Sequence, residues 1–313
     1  MSTFSPTLAV IAPCYNEEGA VQPFLLELEE VLARTGEQCL IVLVDDGSLD
    51  MTQQRTMAFV PTAPNVQLQM IALPYTMGHQ EAIYQGLLFA STTTAARFVV
   101  MDGDGEDDPG AIIELVGIRD ASIVFVARGK RSASAGFKLG YALYRLLFRM
   151  VAGRAINFGN YSMIDRRVLA AVLGRSFMHY AAFLSRQKVP SRVIVRDRRK
   201  RLDGQSKMGF NDLALHAFRS LIEYSEEVLS VFLKGFLYLS VVFLFSVLTI
   251  VGIKVFTDLA IPGWASNLSA TLFNSMLLCL GFFVIGLLLA NTMSGRERPG
   301  RHLYKVVAPT REA

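Results

Sequence analysis

Cysteine is scarce and scattered. The 313-residue chain holds three, Cys14, Cys39 and Cys279, with no Cys-x-x-Cys pair. That excludes a disulfide scaffold and a zinc ribbon. The four histidines, His79, His179, His216 and His302, form no His-Glu-x-x-His or other metal pair. No P-loop, no Gly-x-Gly-x-x-Gly and no Gly-x-Ser-x-Gly elbow occurs, so kinase-like, dinucleotide-binding and hydrolase readings lose support. Charge is also sparse, at 19% of residues against 52% hydrophobic. So apolar a chain is neither disordered nor collagen-like. It speaks equally against a purely soluble globular protein. The 31 basic and 27 acidic residues leave a net +4. That small excess suits an anionic membrane face or an anionic substrate, or simple solubility.

The apolar residues are concentrated near the C-terminus. Residues 235–253 carry no charge, and neither do residues 259–295. Each run is long enough to cross a ~30 Å hydrocarbon core as a helix. Two membrane helices are the expectation, with an apolar hairpin buried in an oligomer as the alternative. Basic residues cluster before the first run and after the second (Arg296, Arg298, Arg301, Lys305, Arg311), while the short connection holds one lysine and one aspartate. Both termini are therefore expected in the cytoplasm, with an outer hairpin around Trp264. No basic stretch followed by a long apolar run opens the chain, so no signal peptide is expected.

Upstream, residues 8–130 alternate strand-like apolar runs with helical stretches: strands near 8–12, 40–44, 66–72, 98–101 and 123–127, helices near 21–34 and 79–90. That alternation implies βαβ units and an α/β fold with a mainly parallel sheet. Ligands of such sheets sit at the carboxyl ends of the strands. Strand one is followed by Pro13, Cys14, Tyr15, Asn16, Glu17 and Glu18, strand two by Asp45 and Asp46, and strand four by Asp102, Gly103, Asp104, Gly105 and Glu106. Capped turns explain any one cluster. Three on one sheet edge point to a cation or to donor groups beside them, and Asp102 and Asp104, flanking a glycine that admits a ligand to the backbone, suit a hard ion such as Mg²⁺ or Mn²⁺ shared with a diphosphate.

These segments, with Gly78–Leu87 (GHQEAIYQGL), Gly159–Arg166 (GNYSMIDR) and Arg201–Lys207 (RLDGQSK), resemble in order and spacing the family 2 glycosyltransferases of GT-A fold over residues 8–225. Within them the chain is similar to membrane-bound polyprenyl-phosphate glycosyltransferases, the relatives of dolichol-phosphate mannose synthase and bactoprenol glucosyltransferases. The resemblance implies inverting transfer of one sugar from a UDP- or GDP-linked donor to polyprenyl (undecaprenyl) phosphate at the cytoplasmic membrane face. Pro13, Tyr15, Asn16 and Glu17 would hold the nucleotide, with Asp45 and Asp46. Asp102 and Asp104 would bind the metal, joined by Glu106, which stands where the family often has glutamine. Gly103, Arg128 and Ser206 would line the donor site. Asp165 would lie near the acceptor, and Arg201 and Lys207 near the phosphates. The implied partners are the nucleotide sugar, polyprenyl phosphate, membrane lipids, further copies in a homo-oligomer (a tetramer), a flippase and a downstream transferase. The implied domains are a catalytic domain at 1–207, a juxtamembrane amphipathic helix at 208–234, a membrane hairpin at 235–293 and a basic tail at 294–313.

Residues 186–207 contain nine basic side chains against Asp197 and Asp203. One stacking ring, Phe210, lies just beyond them, so nucleic acid is not an expected partner. A lipid phosphate is favoured over a merely solvated loop by the adjacent apolar runs. Residues 136–151 mix apolar, aromatic and basic residues as an interfacial helix does, or as ordinary packing would. His79 reads as a satisfied polar residue at a helix start, and Asp165 could simply pair with Arg166 or Arg167. A processive polysaccharide synthase and a non-catalytic scaffold remain as alternatives.

Overall fold

In the computed structural model, residues 4–129, 158–175, 177, 179–197, 199, 201–202, 225–257, 263–294 and 301–307 are described. The expected interfacial helix at 136–151, most of the juxtamembrane helix, and Ser206 and Lys207 lie outside these residues.

Strands β1 (Leu8–Cys14) and β2 (Cys39–Asp45) are uninterrupted apolar runs buried on both faces. This is the signature of a strand covered by helices on both sides. They join β3 (Val66–Ala72), β4 (Arg97–Val100), β5 (Ile123–Arg128), β6 (Phe158–Asp165), β7 (Ser191–Arg196) and β8 (Lys305–Val307) in one sheet of order β7-β5-β6-β4-β1-β2-β3-β8. Only β6 and β8 run against the rest. The mainly parallel expectation holds, with one antiparallel strand in the interior.

Side chains alternate across the sheet and feed two cores. Ala9 and Ile11 face α3 (His79–Ser91), α5 (Arg166–Gly174) and α6 (Tyr180–Arg186). Leu8, Val10 and Ala12 face α1 (Val21–Ala33) and α4 (Ala111–Gly117). Val21, Phe24, Leu25, Leu28 and Leu32 are buried on one stripe of α1. That helical spacing meets the strand period of two, giving a three-layer α/β/α domain. The short α2 (Thr52–Met57) follows β2.

Two long helices, α7 (Ser225–Phe256) and α8 (Trp264–Ser294), form the second unit. They pair through Phe232 against Phe282 and Phe243 against Phe273. Both are long and apolar enough to cross a membrane, and Leu237, Phe245 and Leu288 lie exposed on their flanks. The segment read as a basic tail supplies an edge strand. Val307, Val306 and Lys305 pair antiparallel with Met70, Ile71 and Ala72. The buried Gln85 clasps this segment, donating to the Arg301 carbonyl (3.2 Å) and accepting from the Leu303 amide (3.1 Å).

Candidate active site

The loops after β1, β2 and β4 meet along one sheet edge and are stitched together by their own polar groups. The Asn16 amide donates to Ser48 Oγ and the Leu49 amide donates to Asn16 Oδ1, both at 2.8 Å. Asn16 has φ +52°, a left-handed backbone that asparagine tolerates. The Glu17 amide donates to Thr52 Oγ1 at 2.8 Å. Asp45 is fully buried and accepts from the Ser48 amide and Gln53 Nε2. Asp46 accepts from Thr76 Oγ1 (3.0 Å) and the amides of Met77 (2.7 Å) and Gly78 (3.0 Å). Both carboxylates thus hold loops in place, which the sequence reading, assigning them to the nucleotide, did not separate from binding. Gly47 has φ +71°, and a Cβ there would lie 2.6 Å from the Tyr75 carbonyl carbon. Pro13 is buried and Tyr15 half-buried beside them. Cys14 is buried beneath these carboxylates; burial, then Asp45, pushes its thiol well above the usual range.

The Asp102–Asp104 loop is gripped from below. Asp107, itself buried, accepts from the Asp102 amide at 3.0 Å. Tyr161, at the site end of β6, donates to the Asp108 carbonyl at 2.9 Å. Gly103 serves packing more than ligand access, because its Cβ would meet the Pro13 carbonyl oxygen at 3.0 Å. From above, Arg199, Arg201 and Leu202 lie along the loop: the Arg199 amide donates to the Glu106 carbonyl (3.0 Å), and the Leu202 amide faces the Asp104 carbonyl (3.4 Å). Leu202 fills the space over Gly105, where φ is +77° and a Cβ would lie 2.4 Å from the leucine side chain. Arg201 places Nη2 2.8 Å from Asp104 Oδ2 and 3.3 Å from Glu17 Oε1.

At the start of α3, His79 Nε2 stands 3.1 Å from Asp102 Oδ1. Desolvation by its neighbours opposes charge on this side chain, although 40% of it stays exposed, yet Asp102, with Asp104 and Asp107 behind it, raises its pKa above the ordinary histidine value. Two contacts therefore meet the Asp102–Asp104 loop: His79 stands against Asp102, and the Arg201 guanidinium against Asp104 and Glu17.

Other expected residues lie elsewhere. Asp165 pairs with Arg97 in the β4–β6 ladder, five residues before Asp102, and therefore sits at the opposite sheet edge. At ~3.3 Å per residue that is roughly 15 Å away. It caps α5, accepting from the Val168 amide at 2.9 Å. Glu106 does not complete a ligand set: among the described residues no three His, Cys, Asp or Glu side chains are grouped to hold an ion. Arg128 ends β5 at the site edge, paired with Arg196. His79 and Asn160 are not expected at the site from the sequence, and Asp107, one of the carboxylates after strand four, holds the loop there. Asn160 is buried two residues beyond the Val100–Ser162 pair, on the site side, and its Oδ1 has no hydrogen-bond partner among the described residues. Its presence inside the GNYSMIDR segment was the available signal.

Two carboxylates without a third side-chain ligand fit Mg²⁺ or Mn²⁺, which takes one or two carboxylates and completes its shell from phosphates and water. Asp102 and Asp104, with His79 and Arg201 against them, stand at the carboxyl end of a central strand, where α/β sheets of this kind bind their ligands. The Glycosyl transferase family 2 profile matches residues 9–170, and the chain belongs to that family. It is 27% identical to the glycosyltransferase YkcC of Bacillus subtilis, covering 89% of this chain and 87% of the relative. It is 25% identical to the bactoprenol glucosyl transferase of Shigella phage SfX, covering 95% and 98%. Among solved structures, glucosyl-3-phosphoglycerate synthase from Mycobacterium tuberculosis, in complex with Mn²⁺, UDP and phosphoglyceric acid, matches at TM-score 0.50 and 14% identity, over 71% of this chain and 78% of that one. At that identity the match concerns the fold alone.

Proposed function

We propose that this glycosyltransferase moves a single sugar, with inversion, from a UDP- or GDP-linked donor to polyprenyl phosphate at the cytoplasmic face of the membrane. The observation that carries the reading is the Asp102–Asp104 pair with Arg201 against it, in a chain that also bears two helices able to cross a bilayer. The full-length similarity to a bactoprenol glucosyl transferase supports the acceptor class.

Asp102 and Asp104 would hold Mg²⁺ or Mn²⁺, which offsets the charge gained by the departing diphosphate. The other duties fall to the chain. Asn16 and Glu17 shape the nucleotide cleft, their amides fixed by Ser48 and Thr52. Arg201, once its carboxylate partners are otherwise engaged, presents a fork suited to phosphate oxygens. A lipid phosphate is already anionic at neutral pH, so in-line placement matters more than a strong general base. That agrees with Asp165 lying far from the Asp102–Asp104 loop. Ser206 and Lys207 are assigned to the acceptor phosphate on the family resemblance. The domain limits, with a catalytic domain ahead of a juxtamembrane helix and a hairpin, are part of the same proposal.

The test is Asp104→Ala in the full chain. Donor-dependent release of nucleoside diphosphate should fall by at least a hundredfold in the folded variant, and excess chelator should do the same to the wild type. Full activity in the variant, or in chelator, refutes the metal role.

A further inference from the structure

We propose that His79 is a positioning residue for the metal ligand Asp102. The inference rests on the reading that Asp102 and Asp104 bind a divalent cation, and it adds a residue to that site.

The geometry leaves His79 little choice of place. Asp46 grips the turn before it, accepting from Thr76 Oγ1 and from the Met77 and Gly78 amides. Gly78, at φ +93°, then turns the chain into α3. On the following side, Gln80 Oε1 accepts from the Tyr180 amide at 2.6 Å, pinning the first turn of the helix to α6. Between these two anchors the imidazole reaches across from the loop after β3 to the loop after β4, and Nε2 meets Asp102 Oδ1 at 3.1 Å. The Asp102 backbone is held separately by Asp107. Main chain and side chain of Asp102 are thus each fixed by a different residue.

A histidine serving only the helix start would spend its ring on a backbone amide, as His179 does by accepting from Ala182 at the start of α6. His79 spends its ring on a carboxylate of the proposed ligand pair. A nitrogen base set against one oxygen of a ligating carboxylate restrains the rotation of that carboxylate. Removing such outer partners typically lowers metal affinity 10- to 100-fold. The ring is 40% exposed, so its loss opens no core cavity.

The experiment uses the full chain in detergent. Mn²⁺ binding is followed by loss of the free-ion electron paramagnetic resonance signal, with UDP or GDP present and corrected for nucleotide alone. His79→Ala should weaken Mn²⁺ binding about tenfold or more, leave metal-free nucleotide binding and thermal unfolding unchanged, and raise the Mn²⁺ concentration for half-maximal turnover while kcat at saturating Mn²⁺ largely recovers. His79→Gln, which keeps a donor at similar reach, should restore most of the affinity. Equal Mn²⁺ binding by wild type and His79→Ala overturns the proposal alone. So does lost turnover at every Mn²⁺ concentration with unchanged binding, which would place the ring on the substrate. A wild type that binds no Mn²⁺ with either nucleotide, or an Asp104→Ala variant that binds it undiminished, overturns the metal reading and this proposal with it.

Discussion

Arg201 is the cation placed against Asp104 and Glu17. Its guanidinium lies 2.8 Å from Asp104 and 3.3 Å from Glu17, and the three side chains are 17%, 12% and 8% exposed. Arg201→Ala leaves two poorly solvated carboxylates without that cation. A hydrogen bond to a charged partner contributes about 1.5–3 kcal/mol. For a catalytic domain of this size 1 kcal/mol is about 2–4 °C in Tm, so the metal-free variant should melt roughly 3–10 °C lower. Mn²⁺ should recover much of that loss, because the ion replaces the missing charge, and the Mn²⁺-induced rise in Tm should be larger in the variant than in the wild type. Turnover should nevertheless fall about ten- to hundredfold even in saturating Mn²⁺, since 1.36 kcal/mol is a factor of ten in rate. Arg201→Lys should fall between the two, keeping the charge and losing the fork. Thermal scans with and without Mn²⁺, beside nucleoside diphosphate release, read both effects. An Arg201→Ala enzyme with wild-type melting and turnover would show that the contact is incidental.

Asp165→Ala removes a helix cap, so it should cost about 0.5–2 kcal/mol of stability with turnover preserved at a permissive temperature; loss of turnover in a folded variant would return Asp165 to the reaction. Glu37 accepts from Thr7 and pairs with Arg97 and Arg119, and these contacts, led by the Thr7 hydrogen bond against the opposing effect of burial, hold its pKa below the ordinary glutamate value. A folded-state pKa below the unfolded one contributes stability that is present above the unfolded pKa and lost as pH falls through the folded one. Glu37→Gln should therefore lower stability near neutral pH and flatten its decline in acid; parallel pH profiles of melting would refute that.

Much of the domain was legible because its strands are continuous apolar runs between helical stretches. Leu8–Cys14 and Val66–Ala72 could be placed within two residues by pattern alone. The carboxylates after β1, β2 and β4 were legible for the same reason, since parallel strands deliver their carboxyl ends to one edge. What pattern could not show was direction. β6 (FGNYSMID) mixes polar with apolar residues and does not announce itself as a strand, and it runs antiparallel, which brings Asn160 to the site and carries Asp165 away from it. Nor does sequence separate a carboxylate that binds from one that builds. Asp45 and Asp46 look like ligands and are engaged by loop amides and side chains, while Asp107 looks like a turn residue and holds the Asp102 backbone. His79 was discounted for the same reason: its partner is twenty-three residues away, in the loop of another strand. The three-residue β8 is too short to announce itself, and its pairing depends on Gln85 and the edge of β3.

The central claim, transfer of one sugar to a lipid phosphate, is tested most directly by offering the full chain, in detergent with Mn²⁺, a panel of labelled UDP- and GDP-sugars with and without a polyprenyl phosphate. The account predicts that one donor gives a labelled, organic-extractable product sensitive to mild acid, with nucleoside diphosphate released in equal amount and only when the lipid phosphate is present. Label that remains water-soluble, or diphosphate release indifferent to the lipid phosphate, would contradict it.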